Sequence, residues 1–207
     1  VFTLEALHVD VFVLRDAEEG VPALVAANVQ PHVSVLSAGE AHLSHPTQGL
    51  LDALTILQRK GRCDELSIAI VGDIRHSRVA RSAWQALTTL GAKDMRLVAP
   101  PALMPSASEF PGCTRETSIE RGIAGCDVVM MLRIQRERFA DTAIPTGDDY
   151  FREYGLTAQR LRGAKHDAIV MHPQPMNRGG EIETTVADGP QAVIRDRQQA
   201  VRVRRQV

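Results

Sequence analysis

The chain has 207 residues, of which 44% are hydrophobic and 24% charged, and its formal net charge is -1 at pH 7. These values are ordinary for a globular protein of one large or two small domains, and they argue against nucleic acid or a membrane surface as the partner. No apolar run reaches the roughly 18 residues of a membrane-spanning helix. Three widely spaced cysteines, Cys63, Cys113 and Cys126, favour a reducing cytoplasm over a disulfide framework.

Short apolar runs alternate with longer helical patterns along the chain. The runs predict strands at 9–14, 32–38, 65–73, 95–100, 127–132 and 168–173. The helical patterns predict helices at 22–29, 47–61, 77–91, 118–125, 187–206 and, more weakly, 148–162. Continuous apolar strands that alternate with helices are typical of a parallel sheet covered on both faces. We therefore predict an α/β fold of two doubly wound parallel-sheet units, of which the first is incomplete.

Basic or amide side chains follow five of the predicted strands. In open α/β sheets, ligands bind at the carboxyl ends of the strands, so these side chains are candidates for a site. The clusters are Arg15; His45 and Gln48; Arg75, His76 and Arg78; Arg133, Gln135, Arg136 and Arg138; and the segment from His172 to Arg178.

The stretch SHPTQGLLDALT (44–55) carries more polar groups than a helix start needs. His45 and Gln48 are three residues apart, and Pro46 suits the first helical position. A helix N-terminus favours an anion, while a neutral His can donate to a carbonyl oxygen and a Gln can accept from an NH2 group. The pair suits a planar amide-like group attached to an anion. A capped helix with a buried His is an equally good interpretation, and HLSH (42–45) as a metal pair is a weaker one because no acidic or cysteine cluster accompanies it.

The segment RIQRER (133–138) follows a wholly apolar strand. Arg133 and Gln135 would lie on one side of an extended chain, where a guanidinium and an amide together match a carboxylate. A solvated charged surface is the alternative interpretation. Arg78 likewise is predicted either to reach the sheet edge or to lie on an exposed helix face. The loop around it has only Gly72 and lacks both dinucleotide-binding and P-loop patterns.

The segment HPQPMNRGGEI (172–182) places two prolines and two glycines beside a strand end. Because proline restricts the backbone, the carbonyls of Gln174 and Pro175 would point in set directions and accept hydrogen bonds from an amine or amide nitrogen. A rigid loop without a ligand is the alternative.

The chain resembles the aspartate/ornithine transcarbamoylase family over nearly all of residues 1 to about 195. Four motifs carry the resemblance and occur in the family's order: HPTQGLLD, VGDIRHSRVARS, LRIQRER and HPQPMNRGGEI. The resemblance is nearest to the aspartate carbamoyltransferase catalytic chains, because HPQP lacks the cysteine expected of ornithine enzymes. It implies transfer of a carbamoyl group from carbamoyl phosphate to L-aspartate, an early step of de novo pyrimidine biosynthesis, without metal or organic cofactor.

The resemblance also implies residue roles. Arg15, His45 and Gln48 would hold carbamoyl phosphate; His45 and Arg15 are the predicted catalytic residues, with His45 polarising the carbamoyl oxygen.

The remaining predicted roles concern aspartate. Arg78 and Arg133 would bind its two carboxylates with support from Gln135. The carbonyls of Gln174 and Pro175 would orient the carbamoyl NH2 and the attacking amine.

The implied organisation has a partial carbamoyl-phosphate-binding domain at 1–62, an aspartate-binding domain at 63–190 and a C-terminal helix at 191–207 that returns to the first domain. Family members form homotrimers with active sites shared between subunits, and such trimers often join regulatory or dihydroorotase-like subunits.

Some features depart from the family pattern. The Ser-Thr-Arg-Thr phosphate loop and the lysine loop are absent, and the chain begins in mid-pattern without an initiator Met, so we expect further sequence upstream of Val1. Asp16 and Gln174 stand where the family usually has His and Gly, and the end of the chain is unusually rich in Arg. Two alternatives therefore stay open, namely an inactive homologue that serves as an assembly subunit and a sister transcarbamoylase for another amine.

Overall fold

The computed structural model describes residues 1–134 and 147–194. Within these residues the strands are Val11–Asp16 (β1), Ser34–Glu40 (β2), Ser67–Val71 (β3), Asp94–Val98 (β4), Thr114–Glu116 (β5), Val128–Met131 (β6) and Ile169–Met171 (β7). The helices are Phe2–Glu5 (α1), Val21–Ala26 (α2), Pro46–Lys60 (α3), Arg78–Thr89 (α4), Ile119–Ile123 (α5), Gly147–Tyr154 (α6), Ala158–Leu161 (α7) and Thr184–Ala187 (α8). None of the described helices is long and apolar enough to cross a membrane.

The described strands form two parallel sheets, which confirms the predicted fold class. β1 pairs with β2, and the larger sheet has the order β5-β4-β3-β6-β7. The chain runs outwards from β3 to one side and then returns to build β6 and β7 on the other. The neighbours β3 and β6 therefore flank the position where the strand order reverses, which is where ligands bind in open sheets of this kind.

The larger sheet is covered on both faces. Along β3, Ile68 and Ile70 belong to one buried hydrophobic cluster, whereas Ala69 and Val71 belong to another. Successive strand side chains point to opposite faces, so the continuous apolar run in the sequence reflects two separate cores. Ile56 of α3 lies in the first of these clusters, so the helix that follows the small sheet packs into the core of the large one.

Several predicted elements differ from the structure. The strand β5 was missed because its sequence, Thr-Arg-Glu, is short, polar and partly exposed at the sheet edge. The region 148–162, which was weakly predicted as one helix, forms two helices, α6 and α7. The predicted helix at 187–206 is wrong at its start, because α8 ends at Ala187 and the chain then turns so that Ala192 bridges to Val170. Residues 195–206 of that prediction lie outside the described residues.

Candidate active site

A cleft of about 400 Å³ opens at the reversal point of the strand order. It brings together predicted residues that are far apart in the chain. Arg15, His45 and Gln48 reach it from the first 62 residues. From the remainder of the chain come Arg78, Arg133, Gln174 and Pro175. Gln135, Arg136 and Arg138 lie outside the described residues.

His45 immediately precedes the first turn of α3, with Pro46 as the first helical residue. His45 is the N-cap residue of α3, but its side chain makes no capping hydrogen bond. Its backbone N–H instead donates to Ser82 Oγ at 2.8 Å. This bond ties the start of α3 to α4 and leaves the imidazole in the wall of the cleft.

The same two helices approach closely at Gly49. A Cβ atom at this position would lie 2.5 Å from the backbone oxygen of Ser82, a distance at which one of the helices must shift. Glycine thus permits the contact between α3 and α4. Because α3 begins beside His45 and α4 begins at Arg78, this contact also determines how far apart the two side chains lie.

The environment of His45 favours a neutral imidazole. Burial lowers its pKa, and the positive charges of Arg78 and Arg15 lower it further. Its Nδ1 lies 3.2 Å from Thr47 Oγ1. When the Thr47 hydroxyl donates to Nδ1, the ring proton is on Nε2, and this N–H can donate to an oxygen atom in the cleft.

Gln48 is oriented by a buried carboxylate. Its Nε2 donates to Asp52 Oδ1 at 2.9 Å, and Asp52 is completely buried. Since the amide nitrogen faces Asp52, the amide oxygen of Gln48 is the acceptor that remains for a ligand. Asp52 was not among the predicted site residues, although it lies four residues after Gln48, one helical turn away.

Arg78 is the first residue of α4, and the side chain of the preceding Ser77 caps this helix by accepting from Ala80 N–H at 3.1 Å. The guanidinium donates to the carbonyl of Ala41 at 3.1 Å. A Cβ atom on Gly39 would lie 3.2 Å from Nη1 of Arg78 and 3.5 Å from the His45 ring. Gly39 also has a φ of +120°, so glycine is required there both by conformation and by the space that Arg78 occupies.

Sequence reasoning missed a buried carboxylate beside the cleft. Asp73 is 2% exposed and follows β3 by two residues. Its Oδ1 lies 2.9 Å from His76 Nδ1 and accepts from His76 N–H at 3.2 Å. The signal was present as the Asp of VGD at a strand end. Arg75, in contrast, is exposed and does not line the cleft.

A wider cleft of about 810 Å³ adjoins the first one and shares Arg15, His76 and Arg78 with it. Asp16 and His42 also line this outer space. One carboxylate oxygen of Asp16 accepts from Glu18 N–H at 2.9 Å, so the carboxylate is engaged in a turn after β1.

The metal interpretation of HLSH finds no support in the described geometry. His42 lines the outer cleft, while His45 lines the inner one. In residues 1–134 and 147–194, no three His, Cys, Asp or Glu side chains are grouped as metal ligands would be.

Comparison with known families gives one match that covers most of the chain. Residues 64–203 match the profile described as "Aspartate/ornithine carbamoyltransferase, Asp/Orn binding domain". This segment includes Arg78 and Arg133, as well as the loop that carries Gln174 and Pro175.

Solved structures extend the similarity to the first 63 residues. An aspartate transcarbamoylase from Trypanosoma cruzi, in complex with carbamoyl aspartate and phosphate, is 30% identical with a TM-score of 0.78, over 95% of this chain and 64% of that one. The same enzyme in complex with carbamoyl phosphate is 30% identical with a TM-score of 0.77, over 96% and 65%. An ornithine carbamoyltransferase from Thermus thermophilus has a TM-score of 0.80 over 96% and 64%, and at 20% identity it shows the fold alone. The chain thus spans about 64% of the length of these relatives.

Proposed function

The chain belongs to the aspartate/ornithine carbamoyltransferase family, and we propose that its full-length form transfers the carbamoyl group of carbamoyl phosphate to L-aspartate. The products would be N-carbamoyl-L-aspartate and phosphate. The observation that carries the proposal is the single cleft shared by Arg15, His45, Arg78 and Arg133. These groups match what the two substrates present, namely a phosphate, two carboxylates and a carbonyl that must be polarised.

Carbamoyl phosphate is assigned to the side formed by β1 and the start of α3. The N–H groups of the first turn of α3 and the guanidinium of Arg15 would attract the phosphate. Gln48 would accept a hydrogen bond from the carbamoyl NH2, because its amide nitrogen already donates to Asp52. A neutral His45 would donate to the carbamoyl oxygen and stabilise the negative charge that grows there during attack.

Aspartate is assigned to the side formed by the larger sheet. Arg78 and Arg133 would each pair with one carboxylate, and Gln135 is proposed as a supporting group. The carbonyls of Gln174 and Pro175 would accept from the carbamoyl NH2 and from the attacking amine. With both substrates held this way, catalysis consists mainly of positioning and electrostatic stabilisation.

We extend the proposal to the organisation of the whole protein. Residues 1–62 would contribute to a carbamoyl-phosphate-binding domain and 63–190 would form the aspartate-binding domain, with 191–194 paired to β7 of that domain. The assembly would be a cytoplasmic homotrimer with shared active sites, acting in pyrimidine biosynthesis.

The first test is an assay of carbamoyl-aspartate formation. It is run with this chain and with a version extended upstream of Val1 by the sequence that its genomic locus encodes. We expect the extended version to be active and this chain alone to be weak or inactive. If the extended version binds both substrates and forms no product, the protein is an inactive homologue and the proposal is wrong.

A second test separates the two substrates. Arg133→Ala should raise the aspartate concentration required for half-maximal rate by at least tenfold, because a charge-assisted contact contributes about 1.5–3 kcal/mol. The requirement for carbamoyl phosphate should change much less. Equal effects on both would refute the assignment of Arg133. L-ornithine should not replace aspartate, because its side-chain ammonium would meet a guanidinium.

A further inference from the structure

A buried histidine and a buried glutamate are in contact at the base of the loop that carries Gln174 and Pro175. His172 follows β7, and Glu181 lies nine residues further along the chain. Both side chains are 0% exposed, and His172 Nε2 is 3.1 Å from Glu181 Oε1. Burying two ionisable groups is costly unless each is well hydrogen-bonded, so this pair calls for a physical reason.

The partners of the pair are backbone N–H groups of the loop itself. Gln174 N–H donates to His172 Nδ1 at 2.9 Å, and Asn177 N–H donates to Glu181 Oε1 at 2.6 Å. One of these donors precedes Pro175 and the other follows it. The pair therefore holds the loop on both sides of Pro175, which lines the cleft.

The same contacts determine where the imidazole proton lies. Because Nδ1 accepts from Gln174 N–H, it carries no proton, and the proton of the neutral ring is on Nε2. That N–H then donates to the Glu181 carboxylate. The backbone of Glu181 is also held in place, because its carbonyl accepts a hydrogen bond from Leu156 N–H at 3.0 Å.

The loop conformation needs such support. Gln174 has a φ of +56°, in the left-handed region that is unfavourable for a residue with a side chain. The hydrogen bond from its N–H to Nδ1 of His172 is one contact that holds Gln174 in this conformation. The hydrogen bond thus opposes relaxation of Gln174 and with it a change in the direction of the carbonyls at 174 and 175.

We propose that His172 and Glu181 are positioning residues, which aim the Gln174 and Pro175 carbonyls at the N–H groups of the reacting molecules. This inference rests on the proposed function and adds to it two residues that touch no substrate. Substituting either residue should weaken the binding only of ligands that carry an NH2 group, because the carbonyls can only accept hydrogen bonds.

The experiment compares two ligands, a phosphonate and a phosphate, by calorimetry on the version of the protein extended upstream of Val1. Phosphonoacetamide keeps an NH2 group where carbamoyl phosphate has one, whereas inorganic phosphate has none. In His172→Gln, the amide nitrogen can still donate towards Glu181, but the ring nitrogen Nδ1 that accepts from Gln174 N–H is removed. We expect the Kd for phosphonoacetamide to rise about tenfold, which is the usual effect of losing one hydrogen bond. The Kd for inorganic phosphate should stay within about twofold of its original value.

Glu181→Gln is the conservative variant. It keeps an oxygen that accepts from both His172 and Asn177, so the Kd for phosphonoacetamide should rise by about threefold or less, whereas Glu181→Leu should match His172→Gln. This pair of variants also covers the case in which His172→Gln does not fold. The matched control is Asp188→Asn, which breaks the exposed Arg178–Asp188 pair (2.7 Å and 2.9 Å) near the same loop and should change neither Kd.

The outcomes separate this proposal from the function on which it rests. If the extended protein without substitutions binds neither ligand, the proposed function fails and this inference fails with it. If the extended protein binds both ligands and the substitutions weaken the binding of both equally, or of neither, only the positioning role is overturned. Nitrogen-15 shifts of the His172 ring give an independent check, since a protonated Nδ1 would contradict the hydrogen bond on which the inference depends.

Discussion

The two sheets of this protein differ in how completely their side chains are covered. In the five-stranded sheet, all four residues from Ile68 to Val71 are 0% exposed. In the two-stranded sheet, Val13 is 64% exposed and its partner in register, Leu36, is 50% exposed. Both sheets are parallel and apolar, so strand formation alone does not distinguish them; burial of both faces does.

This difference divides the candidate site. Arg78 and Arg133 stand at the edge of the well-covered sheet, whereas Arg15 comes from the sheet with an open apolar face. His45 immediately precedes α3, which is anchored to the larger sheet through Ile56 and through the contact of Gly49 with Ser82. In this chain, which spans about 64% of the length of its relatives, we therefore expect the side of the cleft that carries Arg78 and Arg133 to be the more stable side, with α3 as the element that couples it to the other.

The largest expected effect comes from making the same substitution in each sheet. Val71→Ala should lower the free energy of unfolding by about 2–3 kcal/mol, because it removes buried methyl groups and leaves a cavity. Val13→Ala should change it by less than about 0.5 kcal/mol, since the side chain is mostly exposed. Urea denaturation measures both values. Equal losses would show that the two sheets do not differ in the way described.

An intermediate effect is expected at the contact between α3 and α4. Gly49→Ala gains about 1 kcal/mol of helix propensity, but its Cβ would meet the Ser82 backbone oxygen, an overpacking cost of about 1–3 kcal/mol. We expect a lower Tm together with weaker binding of inorganic phosphate, because the start of α3 must move.

The control for this substitution is Leu50→Ala, one residue further along α3, where the side chain is 59% exposed. It should leave both the Tm and phosphate binding close to their original values. A Gly49→Ala variant that binds phosphate as well as the Leu50→Ala variant would mean that the helix contact does not position the site.

The smallest expected effect is electrostatic and concerns His45. Arg78→Gln should raise the pKa of His45 towards its ordinary value of 6.5, because the charge of Arg78 contributes to lowering it. Nuclear magnetic resonance titration of the ring measures this shift. Arg81→Gln on the same helix removes a charge that pairs with Glu109 at 2.7 Å and should leave the pKa of His45 where it is.

The lowered pKa also gives a direction for the pH dependence of stability. The unfolded chain takes up a proton on His45 near pH 6.5, whereas the folded chain resists protonation until a lower pH. The stability that depends on a neutral His45 is thus fully present above pH 6.5 and decreases as the pH falls below it. His45→Gln should flatten this decrease, and an unchanged slope would contradict the burial of the ring beside two guanidinium groups.

Sequence patterns predicted the α/β class, six of the seven described strands and the helices α2 to α5, but not α1. They succeeded because strands covered on both faces are continuously apolar, while the helices show a period near 3.6 residues. They failed at β5 and after Ala187, where no hydrophobic pattern marks the structure. The roles assigned to Arg15, His45, Gln48, Arg78, Arg133, Gln135, Gln174 and Pro175 stay predictions.

The sequence by itself determined which polar groups stand at the ends of the strands, because strand ends and turn residues can be read locally. Only the tertiary structure decided what holds those groups in place, such as Ser82 against the start of α3 and Glu181 against His172. Ser82 lies 37 residues from His45 in the chain, and this contact exists only because two helices pack against each other. No local pattern carries that information, since the periodicity of a segment reports its own burial and not the identity of the residue that it meets.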